Sequence, residues 1–453
     1  MIKKQTVAWL LAAIVAAATL VALTTNRPAP QPPPPVPTAA PQLVQAQPDP
    51  PAANQPGQPI TLPLLAAPIT AVTTTAPATV PTPTTPPPLP SPLDTAVSPP
   101  SLTVDYSLWR QDEGRQVDAG ETAAFAAPVM PGLVISPSLQ ADRIAVPPGY
   151  RHEFVKIGFH VGSGGGNVDG LGEWMRELDR RGIPFFLKSA DAAGPLYEAQ
   201  ELMRASGVPH VLVFRRSVGS RDLGMFGYDV PLYHLSPVAA ARRHWDLHMA
   251  EWPPELDPSL VWVETINEVD KNRSAWLGVF AAEQARLAIR DGFRYAAFGW
   301  AAGEPEMYHW QQPSMQAFLK LAADHPDQIA IALHEYSYVT DRIDRQYPFL
   351  VGRFQQLFWV ADSLGLDRPT VLITEWGWTH ENVPDAATAM EHIEWAANLY
   401  ALYPEVKGAA IWYLGPGFGG IANQAQQLIR PLTDMAATRY YVMPDETFSV
   451  VIE

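Results

Sequence analysis

Downstream of about residue 150, short runs of consecutive apolar residues alternate with longer stretches in which apolar positions recur every three to four residues. The first kind reads as β-strands and the second as amphipathic helices. In chain order the strand-like runs are 156–161, 184–188, 210–215, 260–267, 295–300, 329–334, 370–374 and 409–413. The helical stretches that follow them are 171–181, 196–206, 237–250, 275–290, 315–323, 351–364, 386–400 and a last one beyond residue 413. Eight strand–helix units in succession predict an α/β fold, a closed (β/α)8 TIM barrel occupying residues 153–453.

An open doubly wound sheet is the competing architecture, and it usually carries a glycine fingerprint after its first strand. The segment Gly162-Ser-Gly-Gly-Gly-Asn167 sits at that place but ends on asparagine where the fingerprint needs glycine. It reads better as the first loop at the barrel rim. Residues 101–152 are weakly patterned and are expected to form a small N-terminal extension packed on the barrel.

The first hundred residues are different material. Lys3 and Lys4 precede an almost wholly apolar segment, 6–23, and residues 1–27 together read as an export signal. No small-x-small cleavage site follows it, and its length approaches the ~20 residues that span a bilayer. An uncleaved signal anchor is therefore favoured over a cleaved peptide, with the bulk of the chain outside the cytoplasm. Residues 28–100 hold about half of the 48 prolines, and their only charges are Asp49 and Asp94. Such a stretch buries too little apolar surface to offset its ordering entropy, so it reads as a disordered spacer of polyproline character.

Composition narrows the function. With no cysteine in the chain, disulfides, thiol nucleophiles and thiolate metal sites are excluded. A net charge of −15 argues against nucleic-acid binding. There is no His-Glu-x-x-His pattern, and neither a metal nor another cofactor is expected. The membrane is expected to be met only through the N-terminal segment, and the chain is expected to be a monomer.

In a TIM barrel the site lies at the C-terminal ends of the strands. The chemistry-bearing residues there are His160, Lys188, Asp191, Arg215, Asn267, Glu268, Trp300, His334, Tyr336, Glu375 and Trp412. Glu268 and Glu375 each close an apolar, β-branched run, where an unpaired carboxylate is costly to bury. Their pairing at the ends of two strands points to acid/base and nucleophilic work. Lys188 is expected to form a salt bridge with Asp191 rather than a Schiff base. Trp300 and Trp378 are candidates either for a stacking platform or for the core, and Glu304 and Glu306 are expected to be mostly solvated, with room for a rim contact.

These residues resemble a known family. Glu264-x-x-Asn267-Glu268 on the fourth strand, and Glu375 followed by Trp376 on the seventh, are similar to the retaining glycoside hydrolases of the (β/α)8 clan, clan A. The resemblance covers about 153–415 and departs at Val269, where many members carry proline. It implies that Glu268 is the acid/base, Glu375 the nucleophile, Tyr336 a hydrogen-bond donor to the nucleophile, and Trp412 the floor of the sugar subsite. Asn267, His160, Arg215, Trp300, His334 and Trp376 complete the expected carbohydrate-binding set. In that mechanism Glu268 needs a raised pKa, and Arg215 with Tyr336 would keep Glu375 ionised. The expected function is an extracellular or cell-surface glycosidase acting on an oligo- or polysaccharide. The alternative is a surface barrel that binds glycan without cleaving it.

Overall fold

Eight parallel strands hydrogen-bond in a closed ring. The strands are β3 (Ile157–Val161), β4 (Phe186–Ala190), β5 (Val211–Arg215), β6 (Val261–Glu264), β7 (Arg294–Trp300), β8 (Ile329–Ser337), β9 (Thr370–Trp378) and β10 (Val406–Ile411). Each pairs with the next, and β10 pairs with β3 to close the barrel. The computed structural model from which this is drawn describes residues 132–162, 168–218, 227–338, 342–379, 383–416 and 420–445. The signal segment 1–27, the spacer 28–100, the first part of the extension and most of the glycine-rich loop lie outside the described residues. Among the described residues no helix is long and apolar enough to cross a membrane.

Helices α1 (Leu171–Arg180), α2 (Gly194–Ser206), α3 (Pro237–Ala250) and α4 (Ser274–Asp291) connect the strands β3 to β7. A short α5 (Met307–Trp310) and then α6 (Pro313–Asp324) lead to β8; α7 (Phe354–Ser363) and α8 (Ala386–Ala401) follow β8 and β9. The chain ends its α-structure in α9 (Ile421–Gln427) and α10 (Ile429–Ala436). The helices form for local reasons. In α1 the buried residues Leu171, Trp174, Met175 and Leu178 fall on one face at helical spacing. Helix α8 starts where the Asp385 carboxylate accepts from the N–H groups of Ala387 and Thr388. Helix α4 stops at Gly292, whose φ of 75° is open to glycine at little cost.

The lower barrel interior is packed with apolar side chains. Phe186 and Trp262 are surrounded there by Val213, Leu372 and the small residues Ala296, Ala330, Ala332 and Ala410. Side chains alternate along a strand, so two positions on, the same faces present Lys188 above Phe186, Glu264 above Trp262 and His334 above Ala332. The interior thus changes from apolar to charged going up the strands.

Two features were not read from the sequence. β1 (Leu133–Ile135) and β2 (Tyr150–Phe154) pair antiparallel with a last strand, β11 (Arg439–Pro444), in the order β1-β11-β2. β2 crosses the boundary expected at residue 152, and β11 follows the helices that were expected to end the chain. The fourth barrel strand also stops at Glu264 rather than at residue 267, so Asn267 and Glu268 lie on the turn beyond it.

Helices α4 and α6 approach so closely at Gly278 that a Cβ there would lie 2.6 Å from Met315 N and from Ser314 C. Helix propensity alone favours alanine over glycine by about 1 kcal/mol, whereas overpacking a tight contact costs about 1–3 kcal/mol. Gly278→Ala is therefore expected to destabilise the chain by about 1 kcal/mol in urea unfolding. A gain in stability would show that the two helices separate freely.

Candidate active site

A cavity of about 850 Å³ opens at the C-terminal ends of the strands, with Glu268 and Glu375 in its wall. His160, Arg215, Asn267, Tyr336 and Trp412 line it as well, together with Trp378, Tyr338 and Tyr413. His334 is buried beside them and touches both carboxylates: its Nδ1 lies 3.3 Å from Glu268 Oε1 and 3.5 Å from Glu375 Oε2. The site thus gathers eight of the ten residues expected to be catalytic or carbohydrate-binding, all but Trp300 and Trp376.

Glu375 reaches the interior because β9 carries an extra residue. Leu333 pairs with Ile373, but His334 pairs with Glu375, so Thr374 is bulged out of register. Simple alternation from the inward Leu372 and Thr374 would turn Glu375 outward; the bulge turns it in. Glu268 is placed by a different device. It lies past β6 with φ 44°, and its N–H donates to the carbonyl of Gly299 at 2.7 Å. A side chain in that left-handed region is uncommon and needs support from its surroundings.

The environments of the two carboxylates differ sharply. Glu375 is buried, which by itself disfavours its charge, yet its carboxyl is held well below the usual range by His334, Lys188 and Arg215. Tyr336 Oη donates to its Oε2 at 2.6 Å, Arg215 Nη1 to its Oε1 at 2.8 Å, and Lys188 Nζ to the same oxygen at 3.2 Å. The side chain of Glu268 is 51% exposed. Its carboxyl is lowered chiefly by the hydrogen bond to His334, against which burial and the charge of Glu375 act in the raising direction. A raised value was expected for Glu268; in the open site the imidazole prevails.

Lys188 corrects another expectation. It is paired not with Asp191 but with Glu264 at 2.6 Å and Glu375 at 3.2 Å, all within the barrel. Asp191 instead accepts from the N–H groups of Ser217 and Val218 and from the Ser217 hydroxyl, which fixes the start of the loop after β5. Arg215 also donates to Asn267 Oδ1 and lies 3.6 Å from Asp229. Lys271 joins Glu304 and Glu306 at the rim, at 3.2 and 2.5 Å, so those two carboxylates are paired rather than merely solvated.

Trp300 and Trp376 do not reach the cavity. Trp300 is fully buried and stacks on Phe298 at 4.9 Å beside Trp310. Trp376 is fully buried against Trp378 at 5.3 Å. Both occupy the layer between strands and helices: Trp376 follows the inward Glu375 and so faces out, and an extra residue on β7 between Ala297 and Trp300 shifts the phase there. The cavity aromatics are instead Trp412, stacked on Tyr413 at 4.9 Å, with Tyr336 edge-on at 6.2 Å, and Tyr338 and the largely buried Trp378 in the wall. Sequence reasoning passed over Tyr413, Tyr338 and Asp229. Only their spacing just beyond strand ends or in rim loops could have signalled them.

His160 keeps a distinct state. Burial, and then the charge of Lys188, push its imidazole well below its usual pKa, so it is neutral. Neither ring nitrogen has a hydrogen-bond partner among the described residues, although the side chain borders the cavity. A buried polar group in that condition is available to a ligand hydroxyl.

Glu268, His334 and Glu375 present donor atoms that all lie within 4.8 Å of one another, close enough for a cation. Two positive side chains already lie against Glu375, at 2.8 and 3.2 Å, and they oppose a further positive charge. The arrangement suits two carboxylates working on one small group better than a metal.

No protein-family model matches the chain, and no curated protein matches it. Among solved structures it is similar to a mutant tryptophan synthase alpha-subunit from Pyrococcus furiosus, with 11% identity, 63% of this chain and 99% of that chain covered, and a TM-score of 0.28. A tryptophan synthase complex from the same organism gives 11% identity, 63% and 98% coverage, and a TM-score of 0.29. Likeness at that level carries no argument; the barrel rests on its own strand pairing.

Next to the site, Glu335 faces the helix layer, fully buried. It accepts from Gly352 N–H at 2.9 Å and Tyr400 Oη at 2.7 Å. Burial outweighs these bonds and raises its pKa to about 7. A raised folded-state value means that stability is full below the unfolded pKa and is lost as pH climbs through about 7. That loss is on the order of 3 kcal/mol. Glu335→Gln, which cannot ionise, is expected to remove most of the fall in stability between pH 5 and pH 8 in urea unfolding. The same fall in both proteins would mean that Glu335 does not take up its proton in this range.

Proposed function

We propose that this barrel is a glycosidase that cleaves an O-glycosidic bond of an oligo- or polysaccharide with retention of configuration. The observation that carries the reading is that one carboxylate oxygen of Glu268 lies within 4.8 Å of one of Glu375 across the cavity, an approach that leaves less room than an intervening water needs. Retaining enzymes hold their pair about 5–5.5 Å apart, whereas inverting ones leave about 6.5–9.5 Å for a water.

In this reading Glu375, ionised by its three donors, attacks the anomeric carbon while Glu268 gives its proton to the departing oxygen. The C–O bond to the leaving group breaks, and an ester bond forms to Glu375. Water, giving its proton to Glu268, then attacks the same carbon and returns Glu375 to a carboxylate. Sugar filling the cavity excludes water from Glu268, which strengthens the two influences that already act to raise its pKa. Loss of the Glu375 charge in the ester removes one of them, so Glu268 becomes the stronger acid and is left free to serve as base. Trp412 and Tyr413 offer the stacking face, and His160 and Asn267 meet hydroxyls. A barrel that only bound glycan would have no use for a carboxylate held ionised by three donors.

Glu375→Gln is expected to abolish turnover of aryl glycosides. Glu268→Ala is expected to spare substrates with activated leaving groups and to recover rate with azide, because those substrates need no proton and azide replaces the base-assisted water. Equal loss on every substrate, without azide rescue, would overturn the assigned roles.

We further infer that the barrel works outside the cell, on a tether made of residues 28–100. Fully extended at ~3.1 Å per residue, that spacer would reach roughly 200 Å. Protease added to intact cells is expected to release the catalytic domain. Full-length chain recovered in the cytoplasm and resistant to protease would end this reading.

A further inference from the structure

At the floor of the cavity, negative and positive side chains alternate around a small ring. Glu264 Oε2 lies 2.6 Å from Lys188 Nζ and 3.6 Å from Arg215 Nη1, and the same two cations lie 3.2 and 2.8 Å from Glu375 Oε1. The other Glu264 oxygen accepts from Thr374 Oγ1 at 2.7 Å, on the residue next to Glu375. Glu264 is fully buried and does not line the cavity. It therefore cannot reach a substrate, and yet it shares both of the cations that hold Glu375.

We propose that Glu264 is a positioning residue: a fixed counter-charge that holds Lys188 and Arg215 in place while Glu375 alternates between carboxylate and glycosyl ester. The inference rests on the glycosidase reading. Two carboxylates and two cations are neutral together in the free enzyme. When Glu375 forms its bond to the anomeric carbon and the leaving group departs with the proton of Glu268, one negative charge disappears from the ring. Without Glu264 the two buried cations would then have only Asp229, 3.6 Å from Arg215, to set against them. Glu264 limits that excess to one charge, and so tunes how strongly the pair favours the Glu375 carboxylate over its ester.

The groups that face this ring fix the sign of the effect. From β8 come His334 and Tyr336 and from β3 His160; the β7 phenol of Tyr295 feels the Glu264 charge, Glu268 feels that of Glu375, and Asp229 lies against Arg215. Among the described residues none of these places a third carboxylate in ion-pair contact with Lys188, beyond Glu264 and Glu375. Removing the Glu264 charge leaves the field at Glu375 more positive. The carboxylate is then stabilised relative to the ester, so ester formation slows, ester hydrolysis does not, and Glu375 takes up its proton only at lower pH.

The test compares wild type, Glu264→Gln and Glu264→Asp on a dinitrophenyl glycoside of the sugar that the wild type accepts. For E264Q, kcat/KM, which reports ester formation, is expected to fall about tenfold or more. In the same variant kcat, which reports ester hydrolysis, is expected to change less than about threefold. The acidic limb of kcat/KM should move down by about one pH unit, while E264D, which keeps the charge, should hold the wild-type limb. Equal loss in kcat and kcat/KM with an unmoved limb would assign Glu264 a packing role only and overturn the proposal. Should E264Q fail to fold, Lys188→Met is compared with the double variant K188M/E264Q, in which the buried pair is neutralised together. The limb should rise in the first and return towards wild type in the second; an identical limb in both overturns the proposal. A wild type inert on all glycosides would instead overturn the glycosidase reading itself.

Discussion

The barrel interior depends on four buried charges that must be satisfied together. Lys188, Arg215, Glu264 and Glu375 come from the strands β4, β5, β6 and β9 and are all buried. Each ion taken from water costs several kcal/mol, and removing one partner of a buried pair costs about 3–5 kcal/mol. Each ion here has an opposite charge within 3.2 Å. The arrangement therefore specifies strand register more than it adds stability. A one-residue slip in any of the four strands would turn its charge out of the ring and leave the others uncompensated.

That constraint explains why the strands depart from regularity where they do. The bulge at Thr374 turns Glu375 into the ring and leaves Thr374 to bond Glu264, so a single irregularity serves two carboxylates. On β7 the extra residue coincides with Phe298 at φ 80° and Gly299 at φ 55°. A Cβ on Gly299 would lie 3.0 Å from Glu264 Oε1 and 3.1 Å from the Ile266 carbonyl, so the turn carrying Asn267 and Glu268 closes over a position only glycine fits well. The Glu268 N–H bond to the Gly299 carbonyl then fixes that turn. Both carboxylates are thus aimed by breaks in the pleat rather than by the pleat itself.

The same breaks mark the limit of what was legible in the chain. Alternation of apolar runs with helical periodicity is a property of many residues at once, so the eight units and the closed barrel could be read; α3, at Pro237–Ala250, was read to the residue. Residue types at strand ends could be read too, and they brought Glu268, Glu375, Arg215, His334 and Tyr336 to one place. Facing could not. An inserted residue reverses every side chain beyond it, which is why Trp300 and Trp376, plausible rim aromatics by position, lie in the helix layer. Partners across the barrel were equally hidden. Lys188 is nearest in sequence to Asp191, but its ion pairs lie 76 and 187 positions away (264 and 375) and no local pattern announces them. β11 escaped for a like reason, since its hydrogen bonds go to residues near the other end of the described chain.

His334 joins the buried charges to the chemistry at the surface of the cavity. Its Nδ1 is almost equally distant from a half-exposed carboxylate and a buried one. A group so placed makes the two ionisations interdependent, because what it gives to one it withdraws from the other. In the open site it serves both, and Glu268 lies below its ordinary value. Under the proposed reaction the balance changes at each step: as Glu375 becomes an ester, its claim on the imidazole weakens, and the hydrogen bond to Glu268 strengthens just when Glu268 must remain a carboxylate and accept the proton of water. When hydrolysis restores the Glu375 charge, that charge draws on the imidazole again and Glu268 regains its affinity for the proton. The reversal of acid and base roles then follows from one imidazole between two carboxylates, with the ring of Lys188, Glu264 and Arg215 keeping the buried partner ready to ionise.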